Sequence, residues 1–510
     1  MRTIPTILCA AAATLTGAAG AQSLALTPSV HPPQSQPFDV FGTDVAMWSP
    51  IYCAVGVRGA DTAASNAGAV DTFDLKEGIW TYRQRLMPLG LASGDQFGHA
   101  ISATDEWLAA GATRHDASGS DAGAVWVYRR EGLSWVSPQK LIPGMGSDGA
   151  RFGMSVGLGD GRLAIGAPGT APGGVVHLYR FVEGKSNGGW VLETTIANPS
   201  PAEGDRFGEC VALEGARLLV ADPFDDAVAT DRGAVYTYVH DGGAWSPGST
   251  LVPAVSSDRQ YYGRSISLRG TRLAIGAYGA DSSDGAIASS GAVEVYDLVG
   301  GNWSRSAELR PVAPSQGGNF GWEVAIEAGT LLVGEPGWQP SDGSGTRQGR
   351  VHLYARQPSA QWAKVADFGT VDGQTEEIFG TAIAILSGKA AITAPGRDER
   401  RGALLAANLL ADCDQNEVAD VLQIAADPAR DCNGDMLLDD CQTDSDGDGV
   451  PNLCDCPADV TSDGAIGSSD LSFVLAEWGN FGGNPADING DLVVDAADLS
   501  LLLLEWGVCE

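Results

Sequence analysis

The sequence predicts a mainly β protein, in which a seven-bladed β-propeller closed by its N-terminal strand precedes a small acidic tail. The first observation is a repeated pair, an aromatic residue followed by glycine, at spacings of 55 to 59 residues. Its aromatic members are Phe41, Phe97, Phe152, Phe207, Tyr262, Phe320 and Phe379. The second observation is that short β-type segments follow every copy, with Gly, Asp and Ser turns between them. The third is that the seventh unit lacks its fourth segment, whereas the N-terminus carries a segment that resembles one.

Each repeat unit contains β-type segments, and the third segment shows how the units pack. Segments such as GAVWVY are apolar on both alternating faces, as Val125 and Trp126 illustrate, which is typical of a strand covered on both sides. Four-stranded sheets packed face to face around an axis supply that cover, so the pattern predicts a propeller. A linear β array is the alternative, although it would need capping units at its ends. A fourth segment opens with Trp80, Trp135, Trp190, Trp245, Trp303 or Trp362.

The ends of the body favour a closed ring. The seventh unit has no Trp segment, because Leu410-Ala411 runs straight into the Cys-rich tail. Near the N-terminus, Leu26-Thr27-Pro28 matches the Leu-x-Pro that ends other fourth segments, such as Leu141-Ile142-Pro143. We therefore expect the N-terminal segment to pair into the seventh blade, which removes the exposed edges of an open stack.

The N-terminus predicts export. In MRTIPTILCAAAATLTGAAGAQS, one Arg precedes an apolar run and a small-x-small site, so we expect a signal peptide over 1–21 that is cleaved after Ala21. A lipoprotein signal centred on Cys9 is the alternative. No later apolar run is long enough to span a bilayer. We expect a secreted or cell-surface protein, monomeric, with a propeller over 22–411, a Cys- and Asp-rich segment over 412–456 and a final module over 457–510.

Charge and cysteine are concentrated in the tail. The chain has a net charge of −33, and the last 99 residues hold 23 Asp and Glu against one basic residue, Arg430. This balance argues against nucleic acid as a partner and suits a hard cation. The isolated Cys53 and Cys210 are expected to be buried free thiols. The six tail cysteines predict three disulfides, and six cysteines allow 15 pairings. Proximity in the sequence favours the pairs Cys413–Cys432, Cys441–Cys454 and Cys456–Cys509.

The spacing of acids in the tail predicts calcium-binding loops. In such a loop, side chains at positions 1, 3, 5 and 12 and the carbonyl at position 7 converge on Ca²⁺. The first loop uses Asp444, Asp446, Asp448, Val450, Asn452 and Asp455. The second uses Asp459, Thr461, Asp463, Ala465 and Asp470. The third uses Asp487, Asn489, Asp491, Val493, Asp495 and Asp498, with Leu492 in place of the usual Gly. Two upstream loops offer Asp412, Asp414, Asn416, Asp420, Asp431, Asn433, Asp435 and Asp439.

An exit helix is predicted after each of the last two loops. Apolar residues fall at helical spacing, namely Leu471, Val474, Leu475 and Trp478, and again Leu499, Leu502, Leu503 and Trp506. Because neither helix can bury its apolar face alone, we expect the two to pack together, and ion binding and helix packing to occur as one folding event. The alternative is a solvated acidic linker, which would not preserve a loop frame and a helix period twice.

The body resembles a known repeat family. The aromatic-Gly pairs and elements such as AIGAPG resemble FG-GAP repeats, the blades of the integrin α-chain propeller, over about 41–411. Calcium-binding integrin blades carry a DxDxDG loop between the FG and GAP strands. Here that connection is short, as in GLGDGRLAIG, so we expect the blades to bind no calcium there.

The tail resembles two further families. Its duplicated loop-helix unit, which is EF-hand-like, resembles a type I dockerin over about 457–509, and the three upstream loops resemble thrombospondin type 3 calcium repeats. In cellulosomal dockerins, loop positions 10 and 11 contact the cohesin. These positions are Ser468-Ser469 and Ala496-Ala497 here, so the resemblance implies that Ser468 and Ser469 contact a cohesin-like or envelope docking partner.

No catalytic motif is recognisable, and we expect a non-catalytic recognition or adhesion protein. His177 and His352 share a repeat position that also accepts other residue types, which indicates a packing or surface role. The longest loops between second and third strands, Tyr278–Ser290 and Pro336–Gln348, are candidate contacts for a protein or glycan ligand, and the latter carries Trp338. The alternatives are a dockerin-borne extracellular enzyme acting on polysaccharide, and a structural spacer.

Overall fold

The structure is a computed structural model, and part of the chain is described in it. The described residues are 23–25, 27–76, 78–116, 118–144, 147–183, 189–255, 257–340, 346–357, 360–370, 373–409, 458, 460–461, 465–479, 486, 488, 493–504 and 506–508. The predicted signal peptide and the segment 412–456 therefore lie outside the described residues.

Seven four-stranded antiparallel arrangements form the blades of a propeller, as the repeats predict. Blade 1 contains β3 (Phe41–Ser49), β4 (Tyr52–Val57), β5 (Ala69–Lys76) and β6 (Ile79–Leu86). Blade 2 contains β7 (Phe97–Ala103), β8 (Trp107–Ala112), β9 (Ala124–Glu131) and β10 (Ser134–Leu141). Blade 3 contains β11 (Val156–Gly159), β12 (Arg162–Ala167), β13 (Val175–Val182) and β14 (Gly189–Ala197). Blade 4 contains β15 (Cys210–Glu214), β16 (Arg217–Asp222), β17 (Ala234–His240) and β18 (Trp245–Leu251).

The last three blades repeat this order until the ring closes. Blade 5 contains β19 (Ser265–Arg269), β20 (Arg272–Ala277), β21 (Ala292–Val299) and β22 (Asn302–Leu309). Blade 6 contains β23 (Val324–Glu327), β24 (Thr330–Glu335), β25 (Arg350–Arg356) and β26 (Trp362–Gly369). Blade 7 contains β27 (Ile383–Leu386), β28 (Lys389–Ala394) and β29 (Ala403–Asn408), with one helical turn, α1 (Arg397–Arg400), before β29.

The N-terminal segment closes the ring, as predicted. Strand β2 (Thr27–Val30) pairs antiparallel with β29, with Thr27 opposite Ala406 and Val30 opposite Leu404, and becomes the fourth strand of blade 7. Just before it, β1 (Ser23–Ala25) adds in parallel to the outer strand of blade 6. The N-terminal segment thus contributes strands to two successive blades.

The core lies between neighbouring blades. The aromatic side chains of all seven aromatic-Gly pairs are fully buried there. Trp80 of blade 1 is also buried, and its indole N–H donates a 3.2 Å hydrogen bond to the carbonyl of Leu405 in blade 7. The third strands, which are apolar on both faces, are therefore covered on both faces by neighbouring blades. This is the packing from which the sequence predicted a propeller.

A glycine in the second strand permits close contact between blades. A Cβ added at Gly166 would collide with the carbonyl of Gly208 in the next blade. The same collision with the next aromatic-Gly carbonyl would occur at Gly56, Gly111, Gly276 and Gly334. The glycine of segments such as AIGAPG thus allows close blade packing in these five blades, whereas Ala221 and Thr393 stand at the same strand position in blades 4 and 7.

The described part of the tail forms a small separate core. Helices α2 (Ser468–Ala476) and α3 (Ala496–Leu504) contact each other, and β30 (Ala465–Ile466) pairs with β31 (Gly507–Val508). Val474 and Leu502 are buried between these elements, as expected. Four other apolar residues at the predicted helical spacing remain 45 to 54% exposed, namely Leu475, Trp478, Leu503 and Trp506. Among the described residues, no helix is long and apolar enough to cross a membrane.

Candidate functional site

One end of the propeller carries both the loops and the aromatic-Gly turns. Phe41 pairs with Val57, the last residue of the second strand of blade 1, and Phe97 pairs with Ala112 in the same way in blade 2. The loops between second and third strands therefore leave the blades beside the aromatic-Gly turns. We call this end of the ring the loop face and the other end, where first and second strands join, the opposite face.

A central cavity of about 400 Å³ opens where the seven blades meet. The residue that follows each aromatic-Gly pair lines it, so that each blade contributes one side chain at the same repeat position. These residues are Thr43, His99, Met154, Glu209, Arg264, Trp322 and Thr381. The repeated turn fixes where the side chain lies, while the residue type differs between almost all blades. The cavity wall therefore presents chemically different side chains from the same backbone position of each blade.

Two acids lie in the wall of this central cavity, one residue further along the chain. The carboxylate of Asp44 accepts hydrogen bonds from the backbone N–H of Val45 at 2.8 Å and of Ile101 at 2.6 Å. Burial nevertheless raises the pKa of Asp44 to about 7. Burial and then the charge of Asp44 raise the pKa of Glu323 to about 8. Near neutral pH these groups hold protons much more readily than ordinary carboxyl groups.

A second cavity of about 440 Å³ adjoins the first, between blades 1, 2 and 3. We call it the arginine cavity. It is lined by Val40, Arg58, Gly59, Asn66, Gln96, His99, Thr113, Arg114, Arg151 and Met154. In the described part of the chain, no Asp or Glu lines it. Three cationic side chains, the half-buried Arg58 and the exposed Arg114 and Arg151, therefore line a space whose described wall contains no carboxylate.

The three arginines of this cavity are unpaired. Within the described residues, the guanidinium groups of Arg58, Arg114 and Arg151 form no ion pair and no hydrogen bond. Burial, and then the charges of Arg114 and Arg264, lower the pKa of the Arg58 guanidinium. These like charges repel one another.

The positive charges of these arginines also act on His99. Its ring lines both cavities, and its Nδ1 is buried without a hydrogen-bond partner among the described residues. Burial, followed by the charges of surrounding arginines with Arg58 foremost, lowers the pKa of His99 to about 4. The imidazole is therefore neutral at pH 7.

Four arginines on the opposite face are paired, in contrast to those of the arginine cavity. Their carboxylate partners lie within 3.6 Å, in the pairs Arg129–Glu106, Arg162–Glu193, Arg269–Glu327 and Arg272–Asp297. The absence of ion pairs around Arg58 is thus a local feature of the arginine cavity, since arginines elsewhere on both faces have carboxylate partners.

A row of aromatic rings crosses the loop face over blades 4 to 6. Phe224, Tyr261, Tyr278 and Trp322 follow one another with ring centroids 4.9 to 5.4 Å apart. Guanidinium groups cover both ends of the row, with Arg206 4.4 Å from the Phe224 centroid and Arg264 4.9 Å from the Trp322 centroid. Aromatic and arginine side chains of this kind dominate the binding energy of many interfaces.

The predicted contact residues are placed as follows. Trp338 is half-buried on the loop face, and the Arg350 guanidinium lies 4.8 Å from its ring centroid. Ser468 and Ser469 are exposed at the start of α2. The turn that begins at Asp281 is closed by its own hydrogen bonds, since the Asp281 carboxylate accepts the N–H of Ser289 at 3.1 Å.

His352 lies inside blade 6, away from solvent. Its Nε2 is 2.8 Å from Glu335 Oε2 and its Nδ1 is 2.7 Å from Asp367 Oδ1. Burial favours the neutral form of Asp367, but the hydrogen bond and charge of His352, and then those of Lys364, lower the pKa of Asp367 below its ordinary value. The side chains of His352, Glu335 and Asp367 are buried, so this network has a packing role, as the repeat position predicts.

Few of the predicted calcium ligands are described. In the second loop, the Asp470 carboxylate accepts hydrogen bonds from the Thr461 hydroxyl at 2.8 Å, the Thr461 N–H at 3.0 Å and the Gly467 N–H at 2.8 Å. In the third loop, the Asp498 carboxylate accepts the N–H of Asp495 at 2.7 Å. Of the two predicted carbonyl ligands, Ala465 is the first residue of β30, and Val493 is also among the described residues.

The other predicted ligands lie outside the described residues, as do the six tail cysteines. Among the described residues, no group of three or more His, Cys, Asp or Glu side chains is placed to hold a metal ion. Cys53 and Cys210 are free cysteines, as predicted, with Cys53 buried and Cys210 half-buried.

Comparison with known families supports the repeat assignment. Residues 80–128, 190–238 and 245–296 each match the FG-GAP repeat family. Each matched segment runs from the fourth strand of one blade to the third strand of the next. The chain therefore contains FG-GAP repeats, arranged as a seven-bladed β-propeller. A search of curated proteins found no significant match.

The arginine cavity is the feature that the sequence analysis missed. One signal for a binding face was present, because the residue after each aromatic-Gly pair varies while the pair itself repeats. However, Arg58, Arg114 and Arg151 come from three different repeat positions. Only the packing of blades 1, 2 and 3 brings them together.

Proposed function

We propose that this chain is an exported, non-catalytic recognition or adhesion protein whose loop face binds a protein or glycan ligand. The observation that carries the proposal is the cavity at the centre of the loop face, where each blade presents one side chain from the same turn. A rigid ring that displays varied side chains around a concave site is a common arrangement for ligand binding. The FG-GAP propeller fold is consistent with this role.

The proposal does not depend on a catalytic group. The most highly connected histidine, His352, is buried inside a blade and could not reach a substrate. The carboxyl groups of Asp44 and Glu323 lie in the central cavity, where their raised pKa values favour neutral forms. We assign them to the wall of a binding site.

For the tail, we propose a calcium-binding stalk over 412–456 and a dockerin-like docking module over 457–510. The hydrogen bonds between Thr461 and Asp470 support this proposal, because positions 3 and 12 of a calcium loop must approach each other. Both side chains offer oxygen atoms, which suit Ca²⁺. The ion, when bound, would supply the positive charge that holds the loop acids together, while Asp470 also caps α2 through Gly467.

The proposed function can be tested by affinity capture. The chain without its first 21 residues is immobilised and exposed to an envelope extract of the producing organism, with and without a calcium chelator, and in parallel to a glycan array. We expect a ligand retained by the propeller in both conditions, a tail partner lost with the chelator, and no released sugar. Released sugar would instead favour the polysaccharide-acting enzyme, and no retained ligand on either surface would favour the spacer.

The calcium proposal has its own test. Calorimetric titration of the same protein with Ca²⁺ is expected to release heat and to increase the helical circular dichroism signal. Asp470→Ala should remove one site, whereas Ser472→Ala, which alters an exposed side chain of the same helix, should keep all sites. A titration without heat or helical signal would contradict calcium binding.

A further inference from the structure

We propose that the arginine cavity binds an acidic sugar unit of an anionic polysaccharide, through the carboxylate or sulfate group of that unit. This inference rests on the proposed function, since it names the ligand class that the loop face would recognise. Four features carry it: the unpaired arginines, the composition of the lining, the volume and the buried His99 nitrogen.

The unpaired arginines favour an anion, because the half-buried Arg58 lies beside two exposed cationic side chains, Arg114 and Arg151. Arg58, Arg114 and Arg151 line one space, and in the part of the chain that the structure describes none of them forms an ion pair with a carboxylate. The charge of Arg151 acts on Glu209 in the wall of the adjoining central cavity, but the two groups form no ion pair. The chain has a net charge of −33, and several arginines of the opposite face do form ion pairs with its carboxylates. A planar guanidinium binds carboxylate or sulfate with two parallel hydrogen bonds, so a bound oxyanion would turn the mutual repulsion into attraction.

The neutral part of the lining favours a sugar as the carrier of that anion. Asn66, Gln96 and Thr113 offer amide and hydroxyl groups, which can both donate and accept hydrogen bonds. Sugar hydroxyls need such partners, whereas the side chain of an acidic peptide presents only acceptors at its end. Met154 and Val40 supply an apolar wall for the carbon face of a ring.

The size of the cavity is compatible with one sugar unit. Its volume of about 440 Å³ lies within the roughly 300–1,000 Å³ that is typical of small-molecule sites. The cavity also opens into the central cavity, because Val40, Arg58, His99 and Met154 line both. A chain of sugars could therefore extend from the arginine cavity across the loop face.

His99 offers an internal reporter for an anion. Its buried Nδ1 lacks a partner in the described residues, and the surrounding arginines hold its ring neutral. An oxyanion beside His99 would offset those charges and could accept a hydrogen bond from the protonated ring. Binding of an acidic sugar should therefore raise the pKa of His99, which a neutral sugar cannot do.

The test compares four probes on the full chain without its signal segment. They are a galacturonic acid tetrasaccharide, its carboxyl-reduced neutral counterpart, a sulfated tetrasaccharide and a tetra-aspartate peptide. We expect at least one of the acidic saccharides to bind about tenfold or more tightly than the neutral one, with affinity that falls as salt rises. The uronate and the sulfated probe distinguish the two sources of the oxyanion.

Variants locate the site. Arg58→Gln and Arg114→Gln should each weaken binding of the acidic saccharide about tenfold, since each removes a charge-assisted contact. The matched control is Arg180→Gln, which makes the same change in charge at an exposed position toward the opposite face. If an arginine variant fails to fold, the NMR pKa of His99 in the unaltered protein, with and without the acidic saccharide, still decides the question.

Three results would overturn the inference. Equal binding of acidic and neutral saccharides would refute the anion site, while the loop face would remain a recognition surface. Tighter binding of tetra-aspartate would replace the sugar with an acidic peptide. If no probe binds and the pKa of His99 does not move, the inference fails, and the envelope capture then judges the proposed function independently.

Discussion

The Thr393 hydroxyl donates a 2.8 Å hydrogen bond to the carbonyl of Gly42, and this bond joins the last blade to the first. The same hydroxyl oxygen accepts the N–H of Ala382 at 3.1 Å, and Thr393 is fully buried. Other junctions use a serine for the same purpose, since Ser155 donates to Gly208 at 2.8 Å. Ring closure therefore depends on a side-chain bond to an aromatic-Gly carbonyl as well as on strand β2.

Replacing Thr393 with Val should weaken the closed ring. The change keeps the volume but leaves the Gly42 carbonyl buried without this donor, which costs about 1–3 kcal/mol in the free energy of unfolding. Urea denaturation followed by tryptophan fluorescence would measure the loss. Thr393→Ser, which keeps the hydroxyl, should lose clearly less than Thr393→Val. Equal stability of the Val variant and the unaltered protein would show that the bond does not support closure.

Gly166→Ala should destabilise the propeller by about 1–3 kcal/mol, as overpacking of a well-packed contact usually does. The new Cβ would collide with the Gly208 carbonyl and the Ser155 hydroxyl. Gly144→Ala is the control, because a Cβ there meets nothing within 4 Å. Thermal unfolding of both variants checks the prediction, which is wrong if the two melt at the same temperature.

The sequence was sufficient for the propeller because its signals are local and repeated. Each aromatic-Gly pair, each two-sided third strand and the Leu-x-Pro near the N-terminus reports on one blade. Their agreement over seven units identified the ring and its closure by β2. The role of Gly166 in blade packing required the structure, because its contact, Gly208, lies in the next blade.

Stability should fall as the pH rises from about 5 to 8. Burial raises the pKa of Asp44 to about 7 and that of Glu323 to about 8, from ordinary values of 3.8 and 4.5. Between these limits the folded state binds more protons than the unfolded state, so the stability present at low pH is lost as the pH passes through the folded-state values. Denaturation at several pH values would show the slope.

Glu323→Gln should flatten this pH dependence, because the amide cannot ionise. The control is Glu203→Gln, at an exposed position, which changes the net charge equally. If both variants reduce the slope to the same extent, general charge repulsion and not the central cavity would explain it.

Neutralising an arginine should raise the pKa of His99. Burial lowers this pKa to about 4 with the help of Arg58 and its neighbours, so Arg58→Gln should move it upward toward the ordinary 6.5. NMR titration of the imidazole signals provides the measurement. His177 is an internal control, since burial alone lowers its pKa. An unchanged His99 pKa would mean that the arginine charges do not reach the ring.

The candidate site was less predictable than the fold. Three arginines from different repeat positions, Arg58, Arg114 and Arg151, have no fixed spacing that would single them out. In the tail, the helix period predicted α2 and α3 and their contact, but it could not indicate that Trp478 and Trp506 remain half-exposed. Periodicity shows which residues share a face, whereas the neighbouring element decides which of them it covers.

The most direct test of the central claim, recognition by the loop face, is a hydrogen-exchange footprint. Amide exchange is followed by mass spectrometry with and without the envelope ligand captured by the full chain. We predict slower exchange in the segments that line the two cavities, around 58–68, 96–101 and 151–156. Protection confined to the opposite face, around Glu106, Gly161 and Gly270, would contradict the account.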